Sequence, residues 1–384
     1  MFNNIDVIII GAGPAGIVCA RQAAEKGHRV LVVEQKQHIG GHCYDFLNED
    51  GIYIHKYGPH IFHTDNRSVW NYLSDFTNWY NYSHEVKGMI DGVLVPIPFN
   101  LNSMEKLFSP VLFKKLETEL IKEYGFDTRV PILELRKKED KDVQFLAEYI
   151  YNKVFLNYNL KQWGARPEDL DPEVSGRVPI VISRDDRYFH DRYQGIPSGG
   201  YTAMFQKILD HPDIHLILNT HGSEIVTVED GRLLIDGAVF EGKVIHTGAI
   251  DELFDCIHGE LPYRSLRRVF RNLDEPYYQK ASVINYPNDY DFIRIAEFKY
   301  FQQNHSEISK SVICKEYPVQ HIKGENNPYY VIKNQATAEK YKKYTFEAEK
   351  IKNLHMLGRL AHYQYYDMDQ VVGEALELCS RIFK

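Results

Sequence analysis

A glycine triplet near the start of the chain has the spacing with which proteins bind the pyrophosphate of a dinucleotide. Gly11, Gly13 and Gly16 follow a short apolar run and precede a segment of small residues. In such a motif the first glycine allows a tight turn, the second lets backbone approach the pyrophosphate, and the third lets a helix pack on a strand. The helix N-terminus adds free N–H groups for the anion. We therefore expect Gly11, Gly13, Pro14, Ala15 and Gly16 to bind a dinucleotide cofactor.

A carboxylate stands where the next apolar run ends. Glu34 can accept hydrogen bonds from a ribose hydroxyl, and it would repel the 2′-phosphate of NADP. The pair Gly40-Gly41 then resembles the glycines that pass close to the diphosphate of FAD in flavin enzymes, although an ordinary turn would also explain it. This resemblance favours FAD over NAD as the cofactor, with Gly41 and His42 as further contacts.

These residues need two strands and a helix to position them, and the sequence provides all three. Residues 6–10 and 28–34 are β-branched runs without polar alternation, which is typical of strands buried on both faces. Gly27 ends the small-residue segment between them. The pattern predicts a βαβ unit. The predicted fold class is therefore α/β, with a Rossmann-like dinucleotide-binding domain around a parallel sheet.

The rest of the chain predicts a helical segment and a second sheet. Apolar residues recur every three or four positions in 145–155, which predicts a helix, and three prolines in 166–179 predict an irregular loop. Residues 224–248 predict short strands broken at two Asp-Gly pairs, the last of them returning to the nucleotide-binding sheet. Residues 281–300 and 312–332 are rich in Val, Ile, Tyr and Phe and predict an antiparallel sheet.

Charge and composition disfavour several classes of function. The chain has 384 residues and a net charge of −8, which opposes unspecific binding to nucleic acid or to an anionic membrane. The five cysteines are scattered without a Cys-x-x-Cys pair, which is typical of a reduced, cytoplasmic protein. The start of the chain is not typical of a signal peptide, and no run approaches the about 20 apolar residues of a membrane span. We expect no nucleic-acid partner and no membrane insertion.

Two histidines have a spacing that could bind a metal ion. His60 and His63 lie close to His55, but no Asp, Glu or Cys is suitably placed as a further ligand. The Gly58-Pro59 turn before them instead predicts a backbone shaped against a flavin. We therefore expect no metal ion at this site.

Six short blocks lie in an order that no local folding rule requires. They are residues 57–64 (YGPHIFHT), 161–164 (KQWG), 193–197 (YQGIP), 315–317 (KEY), 358–360 (GRL) and 365–369 (YYDMD). Together they resemble the bacterial UDP-galactopyranose mutases, a family of flavoenzymes that contract the galactose ring of UDP-galactose from pyranose to furanose. The resemblance runs from about residue 6 to residue 376 and is far more specific than the glycine motif.

The resemblance implies three domains and a homodimer. The discontinuous FAD-binding domain would comprise residues 1–85, 195–260 and 340–384; the helical domain residues 102–180, with a mobile loop at about 166–180; and the antiparallel sheet domain residues 86–101, 181–194 and 261–339.

The resemblance also implies a redox-neutral reaction that nevertheless needs reduced FAD. N5 of the reduced flavin attacks the anomeric carbon and displaces UDP, the sugar–flavin adduct opens and recloses through another hydroxyl group, and UDP returns. The protein must hold a dianionic leaving group, present the flavin to the sugar and exclude water. The galactofuranose product would supply surface polysaccharide.

The same resemblance assigns roles to single residues. Arg177 and Arg294 fall where the family binds diphosphate, and guanidinium groups suit this because they bind phosphate bidentately and stay charged. With His63, which would respond to the redox state of the flavin, they are the predicted catalytic residues. The predicted substrate-binding residues are Phe155, Tyr158, Trp163, Arg177, Tyr188, Asn285, Arg294, Tyr317 and Tyr365. Beyond the glycine motif, the predicted cofactor-binding residues are Glu34, Gly41, His42, His60, Ile61, Arg359, Asp367 and Met368.

Other interpretations stay open at this stage. Packing alone would also explain the aromatic residues, and an N-cap would explain Asp367. His42 stands where the family more often has asparagine, and Asn157 and Asn159 where it has glycine and threonine, which leaves the uridine contacts and the tolerance for a 2-acetamido sugar open. An FAD-dependent oxidoreductase of the amine-oxidase type and a non-enzymatic FAD-binding scaffold are the alternative functions.

Overall fold

The structure is a computed structural model that describes residues 4–170 and 179–383. Short strands predominate, and they group into one parallel sheet, one large mixed sheet and several small sheets. The strands of the described residues are β1 (Val7–Ile10), β2 (Val30–Val33), β3 (Asp45–Leu47), β4 (Tyr53–His55), β5 (Phe62–Thr64), β6 (Trp79–Tyr80), β7 (Val86–Ile90), β8 (Val93–Ile97), β9 (Arg129–Val130), β10 (Ile180–Val181), β11 (Tyr193–Pro197), β12 (Ile214–Ile217), β13 (Thr227–Glu229), β14 (Arg232–Ile235), β15 (Ala238–Val239), β16 (Lys243–His246), β17 (Tyr263–Leu273), β18 (Val283–Asn285), β19 (Arg294–Glu297), β20 (Ser311–Gln320), β21 (Tyr330–Val331) and β22 (Leu354–Met356). The α-helices of the same residues are α1 (Pro14–Glu25), α2 (Arg67–Ser74), α3 (Leu101–Leu107), α4 (Pro110–Tyr124), α5 (Ile132–Leu135), α6 (Lys141–Ile150), α7 (Asn157–Trp163), α8 (Tyr201–Leu209), α9 (Ile250–Leu253), α10 (Gln335–Glu349) and α11 (Met368–Ile382).

The parallel sheet carries the glycine motif. Its five strands run in the order β12–β2–β1–β16–β22, and all neighbours are parallel. β1 and β2 are buried along their whole length, which is why both read as continuous apolar runs. α1 packs its small residues between this sheet and α11. The predicted α/β, Rossmann-like class is confirmed, and so is the predicted return of β16 to the sheet.

The second large sheet has seven strands in the order β21–β17–β20–β19–β18–β7–β8. The pairs among β17, β18, β19 and β20 are antiparallel, as predicted, whereas β18 runs parallel to β7. The parallel pair is possible because the whole helical segment separates these two strands along the chain. In the register of β19 and β20, Arg294 lies directly opposite Glu316. The sheet thereby brings a cation and a carboxylate together at one point.

The helical segment lies between β8 and β10 and has its own apolar core. Leu116, Leu146 and Ile150 belong to that core and are completely buried. The helix predicted over 145–155 is present as α6, but a π-helical turn at Tyr151–Leu156 separates it from α7. A π-turn changes the direction in which later side chains point, so α7 directs its residues to a different neighbour from α6.

Two tight turns join the short strands that follow α8. Asp230-Gly231 connects β13 to β14, and Asp236-Gly237 connects β14 to β15. All four residues have positive φ angles between 47° and 75°, which is the conformation that Asp-Gly pairs adopt in two-residue hairpins. The predicted breaks are confirmed. The predicted domain boundaries stay a prediction. Among the helices in the described part of the chain, none has the length and apolar character needed to cross a membrane.

Candidate active site

The glycine loop has no room for side chains. A Cβ atom at Gly16 would overlap the carbonyl oxygen of Gly11, and one at Gly41 would approach the Cα of Gly13 to 3.1 Å. Gly11 has a φ of +102°, which side chains rarely tolerate. The loop therefore keeps side chains away from the N-terminus of α1, which has no side-chain cap and whose first backbone N–H groups can bind an anion.

Glu34 holds this loop in place from the end of β2. Its two carboxylate oxygens accept hydrogen bonds from the backbone N–H of Ala12 (2.8 Å) and of Lys36 (2.9 Å), and the residue is 5% exposed. Each oxygen keeps a second lone pair, so a ribose hydroxyl can still donate to it. Glu34 thus stabilises the loop and can also bind a ligand. The sequence pattern indicated only the second of these roles.

A cavity of about 530 Å³ opens above the loop. Its walls combine the first βαβ unit with the segment before α11, which lies more than 300 positions further along the chain. The predicted cofactor residues that line it are Gly11, Gly13, Pro14, Ala15, Glu34, Gly41, His42, His60, Arg359, Asp367 and Met368. Gly16 lies behind the wall, and Ile61 lines the neighbouring cavity instead.

A second cavity of about 280 Å³ adjoins the first. The two share His60, Arg359, Asp367 and Met368 as walls. The predicted substrate and catalytic residues that line the second cavity are His63, Phe155, Tyr158, Trp163, Tyr188, Asn285, Arg294 and Tyr365. These residues come from the helical segment, from the mixed sheet, from the chain around β5, from the connection between β10 and β11 and from the segment before α11, so the cavity lies where these parts meet. Arg177 lies outside the described residues.

Tyr317 is the predicted substrate residue that the structure does not bring into this cavity. It packs among Phe292, Ile295 and Ile313, and the guanidinium of Arg267 lies over its ring at 4.1 Å. Successive residues of a strand point to opposite faces of a sheet. Since Glu316 faces the cavity, its neighbour Tyr317 faces away from it.

Two other tyrosines occupy the wall where Tyr317 was expected. Tyr329 and Tyr330 line the cavity; the ring of Tyr330 lies 5.0 Å from that of Trp163 and is stacked with that of Tyr365 at 6.0 Å. Burial raises the pKa of Tyr330 to about 12, so its hydroxyl stays protonated and able to donate at neutral pH. The sequence Pro328-Tyr329-Tyr330 at the start of β21 could have indicated these two tyrosines as site residues, but it was not recognised.

A buried carboxylate lies between two guanidinium groups and holds one of them, that of Arg294, at the wall of the cavity. Glu316 is 1% exposed, and its oxygens lie 2.6 Å from Nε of Arg294 and 3.0 Å from Nε of Arg268. Burial alone would raise the pKa of Glu316, but the two arginines outweigh it and lower that pKa below its usual value. The triad therefore carries one net positive charge, and Arg294 presents it to the cavity.

Two histidines lie on the opposite wall. His63 stacks on Phe189 with 3.6 Å between ring centroids, and its Nδ1 lies 3.1 Å from Oδ2 of Asp191. The sequence analysis missed His84, which also lines the cavity and is buried. Burial, assisted by Arg294 and His63, lowers the pKa of His84 to about 3. His84 is therefore neutral at physiological pH.

The end of the cavity near α7 is lined with neutral amides. Oε1 of Gln162 and Oδ1 of Asn285 are buried and have no hydrogen-bond partner among residues 4–170 and 179–383. Asn159 lines the same end, and its Nδ2 donates to the carbonyl oxygen of Phe155 (2.9 Å). Buried polar atoms without partners are costly. A polar, uncharged part of a ligand would satisfy them.

The arrangement fits a flavin dinucleotide beside a phosphorylated ligand. Bare N–H groups, a ribose-binding carboxylate and a long cavity are what FAD needs. The second cavity offers the guanidinium groups of Arg294 and Arg359, tyrosine hydroxyls and aromatic faces, and the carboxylate of Glu316 in its lining is neutralised by arginines. That chemistry suits a ligand with an anionic group, a ring to stack and several hydroxyls.

Comparison with known proteins agrees with this assignment. The sequence pattern of UDP-galactopyranose mutases matches residues 153–365, and that of NAD(P)-binding Rossmann-like domains matches residues 9–76. The UDP-galactopyranose mutase of Mycoplasma pneumoniae is 34% identical, over 100% of this chain and 97% of its own. The dTDP-fucopyranose mutase of Escherichia coli is 35% identical, over 98% of both chains. The crystal structure of a reduced UDP-galactopyranose mutase has a TM-score of 0.75 at 16% identity, covering 98% of this chain and 93% of its own.

Fold and cavities together define a dinucleotide-binding protein with a Rossmann-like domain and a second ligand cavity that adjoins the cofactor cavity. Sequence similarity over the full length narrows the class further. The chain belongs to the UDP-galactopyranose mutase family. It is an isomerase whose cofactor is FAD, and the predicted family, enzyme class and cofactor are confirmed.

Proposed function

We propose that this protein interconverts UDP-galactopyranose and UDP-galactofuranose while its FAD is reduced. The observation that carries the proposal is the common wall of the two cavities, formed by His60, Arg359, Asp367 and Met368. A nucleotide sugar in the smaller cavity would have its sugar next to the flavin and its nucleotide towards α7. When bound and reduced, FAD supplies an electron-rich ring nitrogen that can attack the anomeric carbon.

The residues of the chain would act mainly on the diphosphate. Arg294 would bind the diphosphate and stabilise the charge that develops on UDP as the glycosidic bond breaks, because its guanidinium is already oriented by Glu316. Arg177 would supply a second guanidinium on the basis of the family pattern. Tyr330 and Tyr365 would donate hydroxyl hydrogen bonds without adding charge.

The nucleotide would occupy the end of the cavity that α7 lines. Tyr158 and Trp163 supply aromatic faces there, and Asn285 and Gln162 supply amides. Stacking on an aromatic ring and hydrogen bonds to amides are the usual means of holding a nucleobase. Phe155 and Tyr188 complete the walls and help to exclude water.

The related dTDP-fucopyranose mutase favours a second candidate substrate. Its identity to this chain, 35%, is as high as the 34% and 35% of the two Mycoplasma UDP-galactopyranose mutases. A dTDP-fucopyranose substrate lacks the 6-hydroxyl group of the sugar and the 2′-hydroxyl group of the ribose, and it carries a methyl group on the base. Both substrates need the same diphosphate site, so the cavity is compatible with either reaction.

One experiment separates the candidates. The purified, yellow protein is incubated with UDP-galactopyranose or dTDP-fucopyranose, with and without dithionite, and the ring isomers are separated by chromatography. We expect furanose product from UDP-galactopyranose only under reducing conditions. Product from dTDP-fucopyranose alone would assign the other reaction. Oxygen consumption with an amine substrate would support an oxidase, and no reaction at all would support a scaffold.

We further propose the setting in which the reaction takes place. In this setting the protein is a cytoplasmic homodimer, and its product supplies galactofuranose for surface polysaccharide, as the family resemblance implies. Size-exclusion chromatography with light scattering tests the dimer, because a mass of one 44.8 kDa chain would exclude it.

A further inference from the structure

Lys161 makes three hydrogen bonds between the helical segment and the mixed sheet. Nζ of Lys161, on α7, donates hydrogen bonds to the carbonyl oxygens of Tyr286 (2.5 Å), Tyr290 (3.1 Å) and Phe292 (3.2 Å). Three backbone carbonyls around one ammonium use all three of its donors. Lys161 is therefore not a solvated surface lysine but the centre of a carbonyl cage.

The cage joins the two walls of the substrate cavity. Its carbonyls belong to residues 286–293, the connection between β18 and β19, and this connection is flanked by Asn285 and Arg294. The lysine itself stands between Tyr158 and Trp163 on α7. Both flanking pairs line the cavity. The side chain of Lys161 therefore helps to set the distance between the nucleotide wall and the guanidinium of Arg294.

Further hydrogen bonds follow the same seam. Nδ2 of Asn157 donates to Oδ1 of Asn288 (2.9 Å), and Nδ2 of Asn288 donates to the carbonyl oxygen of Lys153 (2.6 Å). Arg264, on β17, donates to the carbonyl oxygens of Lys161 (3.1 Å) and Gln162 (3.0 Å).

The charges around Lys161 favour its protonated form, so its hydrogen bonds to the three carbonyls persist at neutral pH. Burial lowers the pKa of Lys161 to about 8, while the carboxylates of Asp289 and Asp291 raise it. Carbonyl oxygens favour the charged form as well, because they accept hydrogen bonds from the ammonium. The phenol rings of Tyr286 and Tyr290 pack at 4.8 Å in the same connection. At neutral pH the ammonium is charged and fully bonded.

We propose that Lys161 is a positioning residue for nucleotide binding: by clamping residues 286–292 to α7, it sets the spacing between the nucleobase wall and Arg294. The inference rests on the proposed function, because it assumes that a nucleotide diphosphate bridges these two walls. Lys161 itself touches neither substrate nor cofactor. Its removal should therefore weaken nucleotide binding while the flavin site stays intact.

The test compares Lys161→Met with Lys153→Met. Lys153 lies in the same helical segment and also bonds across to the sheet, at 2.7 Å from Asp91, but its side chain is 41% exposed, so the control removes the same group from a solvated ion pair. UDP is titrated by flavin fluorescence, and UDP-galactose turnover is measured with reduced enzyme. For Lys161→Met we expect the Kd of UDP and the KM to rise about 30-fold, with kcat within about threefold of the wild type. Lys153→Met should behave like the wild type.

Two further variants keep the test decisive. Lys161→Arg, which retains several donors, should recover part of the UDP affinity, and Asn157→Ala, at an exposed position, should weaken UDP binding about threefold without loss of folding. Unchanged UDP affinity in Lys161→Met would overturn the inference, and so would equal losses of FAD content, kcat and affinity in both Lys161 variants. Failure of the wild type to bind UDP would instead refute the proposed function.

Discussion

Four histidines whose pKa values are strongly lowered should make this protein unstable in acid. Burial lowers the pKa of His55, His60 and His84 to about 3 each, and that of His246 to about 4. In the unfolded chain a histidine has a pKa of about 6.5. The unfolded state therefore binds protons that the folded state rejects. Stability is complete above the unfolded pKa and falls as the pH drops below it.

The size of this effect follows from the pKa differences. Between about pH 7 and pH 5, each such histidine removes about 2 kcal/mol of the free energy of unfolding, so the four together remove about 8 kcal/mol. That amount is comparable with the whole stability of a typical folded protein, about 5–15 kcal/mol. We expect the unfolding midpoint in urea to fall steeply over this range.

Proton uptake measures the effect directly. The protein is unfolded in weakly buffered denaturant at about pH 5.5, and the protons taken up are counted by back-titration; each buried histidine should account for about 0.9 proton. His246→Gln is the informative variant, because Nε2 of His246 bonds the carbonyl oxygen of Ala249 (3.2 Å) and the side-chain amide of glutamine can keep that bond. It should take up about 0.9 proton fewer than the wild type. Equal uptake by both proteins would refute the reasoning.

Two substitutions test the cofactor loop and the buried ion triad. Gly16→Ala would place a Cβ against the backbone oxygen of Gly11, whereas in the control Gly199→Ala the new Cβ meets only a side-chain atom at 3.8 Å. We expect only the Gly16→Ala protein to be purified with little FAD, judged from its visible absorbance. Full FAD content in that variant would contradict this expectation. Glu316→Gln leaves two buried guanidinium groups without their counter-charge, so we expect about 3–5 kcal/mol less stability in urea unfolding, and no loss with the exposed control Glu325→Gln. A midpoint equal to that of the wild type would show that the triad does not stabilise the fold.

Local patterns in the sequence predicted the elements whose causes are local. The buried runs of β1 and β2 and the Asp-Gly turns around β14 depend on residues close together in the chain. The π-turn at Tyr151–Leu156 was not predicted, because one extra residue in a helical turn leaves an apolar periodicity of three to four almost unchanged. Its effect on the direction of Tyr158 is visible only in the packed structure.

The site shows the same division between local and distant causes. The glycine motif was found because its spacing alone makes the turn. Tyr317 was misplaced, although the alternation of a strand could have excluded it once Glu316 was known to face inward. That knowledge required the register of β20 with β19, which pairs residues 294 and 316. Register depends on long-range packing, and a single sequence does not contain it in readable form.

The order of strands in the parallel sheet has a consequence for biosynthesis. β22, at one edge, and Arg359 and Asp367, in the wall of the larger cavity, follow β1 and the glycine loop by more than 300 residues in the chain and are therefore synthesised later. When only the first βαβ unit of a nascent chain has folded, the larger cavity still lacks the wall that Arg359 and Asp367 form. The cofactor can therefore be fully enclosed only after translation has passed residue 368.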